Sequence, residues 1–240
     1  METFAPEALF HLAALVRVED ERAQAGEVIR SNIELGCQLI EWGAPNGLKY
    51  VVNTGSFWEE RGEEGLYDPV DLYAASKRAF GDLLAYLAPA HGLRAITLRP
   101  FGTFGPEDGR ANLFSLLDRA AISGEEVSLT AGEQVFELVY ASDAAEGYLK
   151  ALETLERAEA PGVLPPVELG TGEALTLREF VALYERVRGV SLKIKWGARP
   201  YREREVMGRS ANVEKTFLSI GWRPAYGVER GLREIFGQAK

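Results

Sequence analysis

The feature that most constrains this chain is an alternation along it. Short apolar runs rich in Val, Ile and Leu are separated by longer amphipathic segments. That is the pattern of β-α-β units, in which a parallel sheet is buried on both faces. The runs predict strands near Ala8–Ala14, Leu48–Thr54 and Leu93–Arg99, with helices near Ala25–Trp42 and Pro69–His91 between them. Ligands of open α/β sheets sit just beyond the carboxyl ends of the strands. The segment "NTGSFWEERGEEGLYDP", between a strand end and the next helix, is therefore where chemistry is expected.

Beyond Phe101 the regularity loosens. "FGTFGPEDGRANLF" is a glycine- and proline-rich crossing into a second lobe, followed by a helix near Leu113–Ser123 and a turn at Gly124. "FELVYASDAAEGYLKAL" reads as a strand and a returning helix, with Ser142 as N-cap and Asp143 in the first turn. "EAPGVLPPVELGTGE" is the best linker candidate. After it come a helix capped by Thr176, an arginine-bearing loop "WGARPYREREVMGR" and two final helices.

Composition narrows the function classes. A net charge of -9 with no Lys/Arg run argues against nucleic acid or an anionic membrane as partner, since both need a concentrated positive face. No apolar run approaches the roughly 20 residues that span a bilayer, and the start "METFAPEALF" lacks the basic region of a signal peptide. One cysteine, Cys37, in a helical-looking stretch, points to helix packing in a reducing cytoplasm. With only His11 and His91 beside it, no metal site is expected.

The candidate chemistry lies in "LYAASKRAF". Tyr73 and Lys77 stand four apart in a predicted helix, so both side chains leave one face. Making a tyrosine of pKa near ~10 a useful base at neutral pH needs a shift of about three units, or about 4 kcal/mol. An ammonium about 4 Å away supplies roughly that at an effective dielectric of ~20. The bland alternative is a helix tyrosine beside a solvated lysine. Order along the chain favours the chemical reading: a strand ending in "VVNTGS", a loop, then "YAASK". Thr54 and Ser56, one alternation apart at that strand end, offer hydroxyls to a substrate oxygen, although either is also an ordinary turn or cap residue.

Taken together these segments resemble the extended short-chain dehydrogenases/reductases of the NAD-dependent epimerase/dehydratase family. "FHLAALV" is similar to the family's His-x-Ala-Ala strand, "RSNIELG" to its Asn-x-x-Gly helix start, and "VVNTGSFW" to its Ser/Thr-bearing strand end. "YAASK" matches Tyr-x-x-x-Lys, "LRPFGTFGP" resembles the Arg-x-x-Asn-x-Tyr-Gly-Pro crossing, and "SIGWRPAYGVERGL" the closing Leu-Gly-Trp-x-Pro region. The resemblance implies an α/β fold: an incomplete Rossmann-like NAD(P)-binding lobe, residues 1–103 and 134–168, and a smaller α/β substrate lobe, residues 104–133 and 169–240.

By the same resemblance the cofactor is NAD or NADP and the substrate a nucleotide-sugar, and a homodimer is admitted. Tyr73 would be the acid/base, Lys77 would orient the nicotinamide ribose and lower the tyrosine pKa, and Thr54 would hold the sugar oxygen with Ser56 as second contact. His11, Ala13, Ala14, Asn32 and Pro100 would line the cofactor, Asn32 also bracing the site, and Arg202, near Glu205, would grip the diphosphate. Family dehydratases carry Thr-Asp-Glu where this chain has Thr54-Gly55-Ser56, so the resemblance favours an epimerase or 4-keto reductase. Gly102 and Phe136 depart from the family's common Asn and Arg. The family's opening strand and glycine loop, which bind the pyrophosphate, have no counterpart in this sequence. Two expectations follow: an active enzyme, or a truncated or pseudo-enzymatic product that binds nucleotide-sugar or a partner subunit without turnover.

Overall fold

The structure is a computed structural model that describes residues 5–16, 21–62, 65–110 and 112–237. Residues 1–4, the start of the segment "METFAPEALF", lie outside the described residues. The chain begins with β1 (Ala8–His11), α1 (Glu21–Ile29), a π-helical turn (Arg30–Glu34), α2 (Leu35–Gly43), β2 (Tyr50–Thr54), α3 (Leu72–Ala90) and β3 (Arg94–Pro100). There follow β4 (Gly102–Phe104), α4 (Leu113–Ser123), β5 (Glu126–Ser128), β6 (Val135–Phe136), β7 (Leu138–Tyr140) and α5 (Ala141–Arg157). The last elements are β8 (Gly162–Leu169), β9 (Leu175–Thr176), α6 (Leu177–Arg188), β10 (Lys193–Lys195), α7 (Val213–Ile220) and α8 (Val228–Gly237).

The main sheet is parallel, in the order β1-β2-β3-β8. Alternation along its strands separates two apolar layers. Val51 and Ala95 face one way and pack with Ile40, Phe80, Leu84 and Ala88 under α2 and α3. Val52, Ile96 and Leu98 face the other way and meet Ala144, Tyr148, Ala151 and Leu155 of α5, with Ile220 and Trp222 at the end of α7. Cys37 packs against the first layer as a free thiol, as its helical setting implied. A third cluster gathers Phe104, Leu117, Leu138, Phe180, Tyr184 and Leu232 from β4, α4, β7, α6 and α8. Among the described residues no helix is long and apolar enough to cross a membrane.

The strands at Leu48–Thr54 and Leu93–Arg99 and the helices at Pro69–His91 and Leu113–Ser123 form within a few residues of the expected bounds. Gly124 ends α4 in the left-handed region, at φ 69°, and Thr176 caps α6 through a reciprocal bond with Glu179. Four expectations are corrected. The first strand stops at His11 instead of running to Ala14. The helix expected over Ala25–Trp42 is interrupted by the π-helical turn, which carries the buried Asn32. The expected linker is instead β8, at the edge of the sheet. Its register slips where Ile96 pairs with Leu164 but Leu98 with Val167, so Pro165 and Pro166 occupy a bulge where their missing N–H groups leave no ladder bond unmade.

Ser142 is the fourth correction. Tyr140 is the N-cap of α5 and makes no side-chain capping bond. Asp143 turns its carboxylate away from the helix to accept the N–H groups of Ala225 (3.0 Å) and Tyr226 (2.8 Å), while its carbonyl accepts the Trp222 indole N–H at 2.9 Å. The closing "GWRPAY" segment is thus pinned to the start of α5. Burial raises the Asp143 pKa, and these N–H donors oppose the rise. Asp143→Ala should lower the unfolding free energy by about 1.5–3 kcal/mol, the worth of hydrogen bonds to a charged acceptor. Urea denaturation followed by tryptophan fluorescence measures this, and a midpoint equal to that of the parent would show that the closing segment is held by packing alone.

Candidate functional site

Tyr73 and Lys77 occupy the opening turns of α3, which the Asp71 carboxylate starts by accepting the Ala74 N–H at 2.8 Å. Lys77 is only 2% exposed, so it is not the solvated lysine of the bland alternative. Its Nζ lies 6.0 Å from the Tyr73 ring centroid and makes no hydrogen bond or ion pair among the described residues. Burial pulls Lys77 down to about 8, against the field of Glu59. Burial also pushes Tyr73 up to about 12, and Asp71, Tyr148 and Glu59 push it the same way. Loss of water dominates this rise, and the neighbouring groups add to it. In this state Tyr73 is a firmly protonated donor.

Thr54 ends β2 and, following Val52 in the alternation, turns toward α5. Its hydroxyl lies 2.7 Å from that of Tyr148. Tyr148 is buried and pushed up to about 12 by that burial, with the Thr54 hydrogen bond opposing. Sequence reading missed Tyr148 because a tyrosine on an amphipathic helix reads as core. No hydrogen bond joins Thr54 to Tyr73 among the described residues; they approach the strand tips from opposite faces of the sheet. The Ser56 hydroxyl accepts the Trp58 N–H at 3.2 Å while the Ser56 N–H bonds Glu59 at 2.8 Å, so Ser56 first of all caps the short helical turn Phe57–Glu59.

Asn32 spends its amide entirely on bracing. Its Nδ2 donates to the Leu15 carbonyl (3.0 Å) and to Ser76 Oγ (2.9 Å), and its Oδ1 accepts the Leu15 N–H at 2.7 Å. Ser76 in turn donates to the Tyr73 carbonyl at 2.7 Å. Asn32 thus ties the segment after β1 to the turn that carries Tyr73, and it has no hydrogen left for a cofactor. His11 is likewise packed away: its ring meets Phe80 edge-on at 5.2 Å, and its Nε2 is buried without a partner. Burial, then the Lys77 charge, lowers His11 to about 4. Ala13 is exposed, and Ala14, beyond the tip of β1, and Pro100, the last residue of β3, are half-buried.

Beneath the strand tips lies an ion cluster that sequence reading also missed. Arg99 bonds Glu59 (2.9 Å) and Glu60 (2.6 Å), and Arg209 bonds Glu60 (3.0 Å) and Glu168. Arg209 also donates to the carbonyls of Phe57 and Glu60, both at 2.7 Å. Burial raises the Glu59 pKa despite Arg99, whereas for Glu60 the Gly65 N–H and the two guanidiniums overcome burial and hold it low. Arg204 ties Asp68 and the Pro69 carbonyl to the same arginine segment. Arg202 is exposed there, its guanidinium over the Trp58 ring at 5.7 Å and its N–H on Glu205 at 3.3 Å. It touches neither Tyr73 nor Thr54.

The departures from the family pattern have packing reasons. A Cβ at Gly55 would lie 2.5 Å from Glu59 Oε1 and 2.9 Å from Thr97 Cγ2. A Cβ at Gly102 would lie 2.9 Å from Leu138 Cδ2, and Phe136 stacks edge-on against Phe180 at 5.1 Å.

Gly55→Ala should therefore destabilise the fold by about 1–3 kcal/mol through overpacking, read as a lowered thermal midpoint; an unshifted midpoint would mean that the Glu59 side chain moves freely. His11 gives a pH dependence. Its folded pKa is depressed to about 4 from 6.5, so the unfolded chain binds the extra proton first, and stability falls as pH drops through 6.5 towards 4. His11→Gln should flatten that part of the stability curve, and urea midpoints across this window that fall equally in both proteins would rule His11 out as the cause.

A family model for the NAD dependent epimerase/dehydratase family matches residues 1–165. A CDP-abequose synthase from Salmonella typhimurium is 25% identical over 226 residues, covering 93% of this chain and 70% of that protein. UDP-glucuronate 4-epimerase 2 from Arabidopsis thaliana is 24% identical over 250 residues, covering 95% of this chain but 57% of that protein. A UDP-glucose 4-epimerase from Thermotoga maritima, solved with UDP-glucose, superposes with a TM-score of 0.85 at 23% identity over 98% of this chain and 78% of that one. With the parallel sheet and the Tyr73–Lys77 helix already in place, the match over residues 1–165 settles the lineage: this chain belongs to the NAD dependent epimerase/dehydratase family.

Proposed function

We propose that this chain forms the nicotinamide- and sugar-binding part of an NAD(P)-dependent nucleotide-sugar epimerase or 4-keto reductase, with Tyr73, Lys77 and Thr54 as its catalytic residues. The observation that carries this reading is the pair formed by half-buried Tyr73 and buried Lys77 at the start of α3, beside the strand tip that bears Thr54. A bound nicotinamide supplies hydride exchange with a sugar carbon. Lys77, a buried cation without a carboxylate partner among the described residues, suits the hydroxyls of the nicotinamide ribose. The small side chains of Ala13 and Ala14 and the ring of Pro100 leave room for a flat group. Tyr73, held protonated by its surroundings, gives a proton to the sugar oxygen or takes it back, and Thr54 holds that oxygen.

Asn32 serves this site through Ser76 and Leu15. Arg202, free on the surface beside Trp58, grips the diphosphate as a fixed fork of donors, and Ser56 can offer a substrate only the O–H its capping bond leaves unused. The CDP- and UDP-sugar names of the relatives support a nucleotide-linked sugar as substrate. The cluster around Phe180 and Leu138 then acts as the floor of a substrate lobe facing the sheet lobe. A cytoplasmic setting suits the free Cys37.

Tyr73→Phe removes one proton and one hydrogen bond and should lower turnover of a nucleotide-linked 4-keto or 4-hydroxy sugar by about 10²–10⁴-fold, with fold and NAD(P)H affinity unchanged. Steady-state kinetics and calorimetry check both halves. Turnover within about threefold of the parent would remove Tyr73 from the chemistry.

A further inference from the structure

We propose that Tyr148 is a positioning residue for this site: it donates its phenolic proton to Thr54 Oγ1, so that the threonine's own proton is the one presented to the substrate oxygen. This deepens the reading of Thr54 as a substrate contact and rests on it. The two hydroxyls are 2.7 Å apart, and either atom could donate. Burial decides between the two directions. Tyr148 is buried in the α5 layer with its ring against Phe10, and among the described residues its hydroxyl has no other partner. If Thr54 donated, the phenolic proton would be sealed in the core with no acceptor, at the full cost of desolvating a donor. If Tyr148 donates, both groups are satisfied, because the half-buried Thr54 can swing its proton out towards the site.

Other features agree with this direction. Burial pushes Tyr148 up to about 12, so the phenol keeps its proton throughout neutral pH. A hydroxyl that accepts one hydrogen bond is polarised into a better donor of the next, so Thr54 gains strength at the oxygen it holds. The position of Tyr148 is fixed from behind: a Cβ on the preceding Gly147 would lie 2.9 Å from Leu169 Cδ1, so α5 sits tightly on β8 at that level. Tyr148 also lies close enough to Tyr73 to act on its ionisation. Thr54 and Tyr148 thus form a hydroxyl pair at the tip of β2 that the Tyr–Lys spacing does not reveal.

Two measurements test the assignment. The first needs no turnover. The intensity ratio of the tyrosine Fermi doublet in Raman spectra falls when a phenol donates and rises when it accepts, and the difference spectrum of the parent minus Tyr148→Phe isolates Tyr148. A donor signature that is lost on Thr54→Ala is expected; an acceptor signature, or one indifferent to Thr54, overturns the proposal. The second is a double-mutant cycle. Tyr148→Phe should lower kcat about tenfold with KM within about twofold. The same change should cost less than about twofold on a Thr54→Ala background and its full effect on Thr54→Ser, which keeps the hydroxyl. An equal loss on all backgrounds would show that Tyr148 acts through packing alone, and an unchanged kcat in the parent would likewise overturn its role. Because Tyr73→Phe tests the underlying site separately, a failed cycle with an inactive Tyr73→Phe retires only Tyr148.

Discussion

The Arg99–Glu60–Arg209 link is the interaction on which the site depends. Arg99 leaves β3, Glu60 belongs to the loop after β2, and Arg209 belongs to the arginine segment that precedes α7. Glu59 and Glu168 complete the cluster. All of its members but Glu168 are under a tenth exposed. Two guanidiniums and three carboxylates out of water are costly unless every charge is paired, and here each arginine meets two carboxylates. The pairing fixes three distant stretches of chain in one place. It sets the loop that begins at Thr54, and it draws the segment bearing Arg202 across the strand tips, so that residues about 150 positions apart share one cleft.

That arrangement has an electrostatic consequence. Glu59 lies in the cluster yet acts outward on both Lys77 and Tyr73. It opposes the fall of Lys77 that burial drives, and it adds to the rise of Tyr73. Tyr73 therefore keeps its proton at neutral pH, and Lys77 is brought down to about 8. The spacing of Tyr73 and Lys77 alone suggested a base activated by a neighbouring cation. In the chain by itself burial raises the Tyr73 phenol, with Asp71, Tyr148 and Glu59 adding to the rise.

The sequence made legible what periodicity and local chemistry determine. The buried parallel strands, the long helix of Tyr73 and Lys77, the left-handed Gly124 and the Thr176 cap all follow from patterns within a few residues. Long-range partnership was not legible. Glu59-Glu60 reads as a solvated pair in a polar loop until Arg99 and Arg209, remote in sequence, close over it. Pro165-Pro166 reads as a linker because prolines break ladders, and only the edge position of β8 makes the double proline tolerable. Ser142 has the right chemistry for a cap, but Asp143 one residue on finds better donors at Ala225 and Tyr226. Tyr148 is an ordinary core residue by periodicity, and its role appears only when Thr54 is seen to turn towards α5.

Gly55 joins these strands of argument. Family dehydratases place a carboxylate after the threonine of the strand end, yet here the space of a Cβ is taken by the carboxylate of Glu59, folded back from four residues downstream. Glu59 is locked to Arg99 and to the Ser56 N–H, so its charge supports the loop and is not free to move a proton at the sugar. An acid at position 55 would clash with this carboxylate and set a like charge directly beside it. The ion cluster that builds the site therefore also excludes the residue that elimination chemistry would use there. What remains at the tip of β2 is the hydroxyl pair of Thr54 and Tyr148, which under the proposed function would work with Tyr73 of α3 in moving a proton on and off the sugar oxygen.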